Sequence, residues 1–312
     1  MNNKFKFNRL IYGAPGTGKS YKLDKDKEEL LNKNTISIAE NFERVTFYPD
    51  YSYGQFIGIY KPKMGEKGKV EYEFVLGPFL RLLFEALKKP EEYFLIIIEE
   101  INRANAAAVF GDIFQLLDRE GNGKSKYLIS ISEDIKIYLK SKEDDLYKIF
   151  EKDQKLYLPE NFYIWATMNT SDQGVNVLDS AFKRRFDEYE FIGINDNEDE
   201  IKGIEIKING VEETDWNEFR KKLNNFLSQI IKVKEDKLIG PFFIKPDILK
   251  NEEDFKEAFF NKLVMYLAED VLSYRKTELF ESTSLSELKN CYYNGENIFS
   301  EKFLKFQSTN KQ

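Results

Sequence analysis

Gly13-Ala14-Pro15-Gly16-Thr17-Gly18-Lys19-Ser20 follows the apolar run Leu10-Ile11-Tyr12 and precedes a helix-like segment from Tyr21 to about Leu31. Strand, glycine loop and helix in that order form the setting of a phosphate-binding loop. The glycines let the backbone curl until successive N–H groups point at phosphate oxygens. The helix N-terminus adds partial positive charge at the same place. In such a loop Lys19 reaches the β- and γ-phosphates and the Ser20 hydroxyl ligates magnesium. An ordinary glycine turn would leave the Lys-Ser pair unexplained. The stretch therefore implies a bound nucleoside triphosphate, and the rest of the chain is read around it.

The 312 residues can hold one large or two modest domains, and 42% hydrophobic residues supply a packed core. The net charge of −7 speaks against whole-molecule attraction to nucleic acid or anionic membrane. A local basic patch stays open. The sequence has no histidine and one cysteine, Cys291. An intrachain disulfide, a Cys/His zinc site and a histidine-based triad are thus excluded. Met1 to Leu10 is polar and basic with no apolar stretch, so no signal peptide is expected. No run approaches the ~20 apolar residues of a membrane span. A cytoplasmic protein is the expectation.

Strands and helices alternate from residue 9 to 192. Val45 to Tyr48 reads as a core strand, Pro78 to Lys89 as a helix opened by its proline, and Tyr93 to Ile98 as a strand buried on both faces. Ala106 to Leu117 reads as the next helix, Phe162 to Met168 as another buried strand, Leu178 to Arg185 as helical and Glu188 to Ile192 as a last strand. This pattern predicts an α/β fold with a parallel sheet. Two charged segments, about 58–75 and 118–158, read as hairpin-like insertions, the second with Tyr127 to Ser132 and Ile135 to Leu139 as its strands. Residues 1–193 are expected to form the nucleotide-binding domain, 194–285 a smaller, mainly helical domain, and 286–312 a C-terminal tail.

Glu99-Glu100 ends the buried strand, where open α/β sheets bind ligands. Two carboxylates there can divide the work, one holding magnesium and one polarising the attacking water. A solvated strand end is the plain alternative. Asn169, ending the next strand, can position water or the γ-phosphate, or merely form a turn. Asp172 either orients that network or caps a helix. In Lys183-Arg184-Arg185 the cations either complement a helix dipole or supply an arginine finger to a neighbouring subunit. Arg103 is a second candidate for an intersubunit contact.

Glu-Ile-Asn-Arg-Ala-Asn at 100–105, Met-Asn-Thr-x-Asp at 168–172 and Arg-Arg-Phe at 184–186 resemble the McrB branch of AAA+ proteins. Tyr51-Ser52-Tyr53 with Tyr60-Lys61-Pro62, and Ile239-Gly240-Pro241-Phe242-Phe243-Ile244 in the expected lid, are similar to further stretches of that family. The resemblance spans about residues 8–280. It implies an AAA+ P-loop NTPase core with a helical lid, GTP (or ATP) with Mg2+, a homo-oligomeric ring, expected to be a hexamer, and a stimulating or nuclease partner of the McrC type. By residue, it implies phosphate and metal binding by Lys19 and Ser20, Walker B acids at Glu99 and Glu100, a sensor at Asn169, a signature-loop role for Asp172 and finger positions at Arg184 and Arg185. Glu99 stands where the family usually has Asp, and Gln173 where it usually has Arg. Only seven residues precede Asn8, so DNA is expected to be read by a partner or by a reader domain outside this chain. An ATP-driven protein remodeller of the MoxR type is the alternative. A guanine-reading donor or acceptor is expected from backbone groups near Asn8 to Leu10 or near the lid.

Overall fold

A computed structural model describes residues 4–32, 40–65, 68–151, 154–170, 176–211 and 214–309. The chain divides into two compact units. One holds Met1–Tyr12 and Ser20–Phe191, and the other holds Gly13–Lys19 and Ile192–Gln312.

The first unit is built on a five-stranded sheet. Its strands are β1 (Asn8–Gly13), β2 (Phe42–Thr46), β5 (Phe94–Glu99), β8 (Phe162–Asn169) and β9 (Glu188–Ile192), in the order β2-β5-β8-β1-β9. Between them β3 (Gly58–Met64) pairs antiparallel with β4 (Val70–Leu76), and β6 (Ile129–Ser130) with β7 (Lys155–Leu156). β2, β5 and β8 run parallel, with Val45 beside Ile98 and Ile98 beside Ala166. Phe94 to Ile98 and Phe162 to Ala166 are fully buried, as continuous apolar runs in a sheet covered on both faces require. After β1 the chain crosses to the far edge and works back through β5 and β8. Glu99 and Asn169 therefore finish neighbouring parallel strands at one edge of the sheet.

The helices follow local chemistry. Helix α1 is Lys19–Leu31, α2 is Tyr53–Phe56 and α3 is Pro78–Lys88. Pro78 opens α3, where a missing N–H costs nothing, and Leu80, Leu83 and Phe84 bury one face. The helix expected over 106–117 is split. α4 (Ala106–Phe110) is capped by Asn105 and stops at Gly111, whose φ of +51 a helix cannot use, and a tighter 3₁₀ run continues to Leu117. The first insertion is the antiparallel hairpin expected. In the second, Ile135 to Leu139 is not a strand. It lies in α5 (Glu133–Lys142), because Ser132 caps Ile135, acids fill the first turn, bases fill the last, and Ile135 and Leu139 stack at i, i+4 on the core. α6 (Asp144–Glu151) follows. α7 (Ser180–Lys183), capped by Asp179, is shorter than the expected helix.

The second unit is mainly helical. α8 (Trp216–Asn225) runs on as a wider helical turn to Ile230, and Glu252–Ala258 likewise continues through Phe259–Val264. Trp216, Phe219, Phe226, Phe259, Phe299 and Phe303 are buried in one core. The segment read as a tail carries helices Leu285–Tyr293 and Glu301–Thr309, and Phe303 packs 4.9 Å from Phe299 in that core.

Candidate active site

Glu99 ends β5 inside a polar lattice. Its Oε2 accepts from Ser20 Oγ at 3.2 Å and from Thr167 Oγ1, and its Oε1 accepts from Arg44 Nη1 at 3.1 Å. Two cis ligands of an octahedral Mg2+ stand about 3.0 Å apart, given metal–oxygen distances near 2.1 Å. The Ser20–Glu99 pair is thus a hydroxyl and a carboxylate already close to that spacing. Among the described residues no group of three acids gathers around a metal position. Such a donor set suits Mg2+, which keeps most of its water and takes phosphate oxygens as further ligands.

Glu100 leaves the strand in the left-handed region, φ 54 and ψ 45. A strand alone would send adjacent side chains to opposite faces. The turn instead brings the Glu100 carboxylate onto the Asn169 amide, which donates to its Oε1. Glu100 N–H donates to Thr167 Oγ1 at 3.4 Å, so one threonine touches both acidic residues. Asn102, buried, donates to the Asn169 carbonyl at 2.8 Å and fixes the end of β8. Arg103 lies 3.8 Å from Glu100 Oε2 and is half-exposed.

Gly13 to Ser20 is the loop read from the sequence. Gly16 and Gly18 take φ of +74 and +90, open to glycine and costly for other residues. Lys19 Nζ, buried, donates to the Gly13 and Ala14 carbonyls at 3.0 and 2.9 Å, and Thr17 Oγ1 donates to Ala14 O at 3.0 Å. The loop's outer carbonyls are taken up within its own unit. Gly240 N–H donates to Pro15 O at 3.0 Å, Phe242 N–H to Gly16 O at 2.7 Å, and Asn197 Nδ2 to Thr17 O at 3.2 Å.

The two arginines after α7 differ. Arg185 pairs with Asp118 Oδ2 at 2.8 Å, donates to Ala181 O and stacks 4.0 Å over the Phe114 ring, so its guanidinium is committed within its own chain. Arg184 is exposed on the same turn. Asp172 lies outside the described residues. Asn8 to Leu10 are hydrogen-bonded into the sheet between β8 and β9, and the Asn8 amide is spent on the Leu117 and Arg185 carbonyls. Thr167, Arg44 and Asn197 were not singled out from the sequence, whereas Asn102 stood within the Glu-Ile-Asn-Arg-Ala-Asn stretch. Of the first three only Thr167 carried a signal, standing two residues before Asn169 on the same strand face.

Residues 8–186 match the family described as AAA domain (dynein-related subfamily). The chain is 42% identical over 318 residues to the type II restriction enzyme BsuMI component YdiS of Bacillus subtilis (strain 168), covering 94% of this chain and 88% of that one. The chain belongs to the McrB-like AAA+ family. It is also 31% identical over 181 residues to the type IV methyl-directed restriction enzyme EcoKMcrB subunit of Escherichia coli (strain K12). That match covers 58% of this chain and 34% of the relative. A solved structure from Cytophaga hutchinsonii aligns with a TM-score of 0.34 at 17% identity, covering 95% of this chain and 73% of the other. Membership makes this McrB-like chain a nucleoside triphosphatase with an α/β AAA+ core. Among the described residues no helix is long and apolar enough to cross a membrane.

Proposed function

We propose that this chain is the GTP-hydrolysing motor of an McrBC-type DNA restriction and antiviral defence system, working in the cytoplasm as a homo-oligomeric ring, a hexamer, stimulated by an McrC-like nuclease partner. The observation that carries the reading is the pairing of Glu100 with Asn169 beside the Ser20–Glu99 couple. The names of the two relatives, each a restriction-enzyme component, support the biological setting. DNA recognition then falls to a partner or reader domain.

In this reading the Gly13–Lys19 backbone and the Lys19 ammonium bind the phosphates. Ser20 and Glu99 hold Mg2+, which when bound neutralises charge on the phosphate oxygens. Glu100 polarises the attacking water, and Asn169 fixes the carboxylate's orientation through its Oε1. Arg184 of a neighbouring subunit meets the charge that builds on the γ-phosphate. Arg185 keeps the finger-bearing turn in place.

The test is side-by-side hydrolysis of GTP and ATP, with and without the co-encoded partner. Preferred, partner-stimulated GTP turnover is expected. A clear ATP preference with no partner effect would move the chain to the MoxR-like reading.

A further inference from the structure

Helix α8 presents Trp216, Arg220 and Asn224 at four-residue spacing, on one face. All three hold the same short strap, Ile239–Pro241. Trp216 Nε1 donates to Pro241 O at 2.8 Å, Arg220 Nη1 to Ile239 O at 3.2 Å, and Asn224 Nδ2 to Ile239 O at 2.8 Å. Asn224 Oδ1 accepts from Ile239 N–H at 2.9 Å. Arg220 is fully buried and also binds Ile194 O and Glu198, which joins the segment bearing Asn197 to the same helix. Burial lowers its guanidinium to about 10, so it stays charged at neutral pH and must keep these acceptors.

The strap and Asn197 in turn hold three successive phosphate-loop carbonyls, those of Pro15, Gly16 and Thr17. Every contact named here lies within the second unit. A trans peptide is planar, so the N–H of the next residue points away from the carbonyl that precedes it. Drawing the Pro15, Gly16 and Thr17 carbonyls toward the lid residues turns the Gly16, Thr17 and Gly18 N–H groups to the opposite side. Phosphate oxygens need those three donors.

We infer that Trp216, Arg220, Asn224 and Asn197 are positioning residues for triphosphate binding, presetting the loop's amides from behind through its carbonyls. The inference rests on the proposed nucleotide-binding role of the loop.

Two variants test it. Asn197→Gly removes only the amide, because glycine accepts the left-handed backbone Asn197 adopts, φ 62. Trp216→Phe removes the indole donor and keeps an aromatic ring in the core. Titration with the preferred triphosphate, and separately with the matching nucleoside, reads the effect. Each variant is expected to weaken triphosphate binding about 3–10-fold, the worth of one hydrogen bond, and to leave nucleoside binding unchanged. Triphosphate affinity within twofold of wild type in both folded variants overturns the inference, as does an equal loss for triphosphate and nucleoside. Should Trp216→Phe fail to fold, Asn197→Gly decides alone. Wild-type protein that binds no triphosphate would instead overturn the phosphate-loop reading, and the inference with it.

Discussion

Gly240→Ala is the most informative single change. A Cβ at Gly240 would stand 2.2 Å from the Gly16 carbonyl carbon and 2.4 Å from both Gly16 O and Thr17 N. Ordinary contact begins near 3.4 Å, so strap and loop must part by about 1 Å. None of the three atoms belongs to a side chain that could swing aside. The Gly240 N–H···Pro15 O bond, 3.0 Å long, would stretch to about 4 Å, beyond hydrogen-bonding range, and the 2.7 Å bond from Phe242 would weaken with it. One lost and one weakened bond cost about 1–3 kcal/mol together and the overpacking about 1–3 kcal/mol more. The total, roughly 2–6 kcal/mol, predicts a fall of several degrees in Tm. Nucleotide affinity should fall at least about tenfold, since the loop amides move with the carbonyls. Thermal denaturation and nucleotide titration measure both. Gly121→Ala is the control, with no atom within 4 Å of its added carbon, and should change neither. A Gly240→Ala protein that melts and binds like wild type would refute the reasoning.

Further outcomes follow from the site. Lys19→Ala should nearly abolish nucleotide binding in a titration, because a charge-assisted contact to phosphate is lost. Glu100→Gln should bind nucleotide and stop turnover in a phosphate-release assay, whereas Glu99→Gln should raise the magnesium concentration needed for half-maximal rate. Arg184→Ala should leave Tm unchanged and cut the rate of the assembled protein about 10³-fold, with partial recovery on mixing with Glu100→Gln subunits. Arg185→Ala should lower stability by about 1–3 kcal/mol through loss of the Asp118 pair and the Phe114 stack, which a denaturant titration reads.

The sheet was legible because its central strands are buried on both faces. Uninterrupted apolar runs such as Phe94 to Ile98 leave few alternatives, and the loop between β1 and α1 has a spacing of its own. Ile135 to Leu139 misled because Ile, Ile and Leu at i, i+2 and i+4 fit a strand as well as a helix face, and the Ser132 cap decides between them. The chemistry divided in the same way. Glu99, Glu100 and Asn169 were readable because they terminate strands. Arg44 owes its place to pairing between distant segments, which no local pattern records. The two finger candidates looked equivalent because nothing near Arg185 in sequence announces Asp118, 67 residues away.

The left-handed backbone of Glu100 has a consequence for how this chain can change. Holding a glutamate there costs about 1–2 kcal/mol relative to a residue at ease in that conformation. Glycine and asparagine are such residues, and neither carries a carboxylate. At this one position the change that relaxes the fold is therefore also the change that removes the acid we propose for hydrolysis. A lineage released from the need to turn over nucleotide would find that step downhill. Glycine or asparagine at position 100 in a related chain would then mark a protein that binds its nucleotide and no longer spends it.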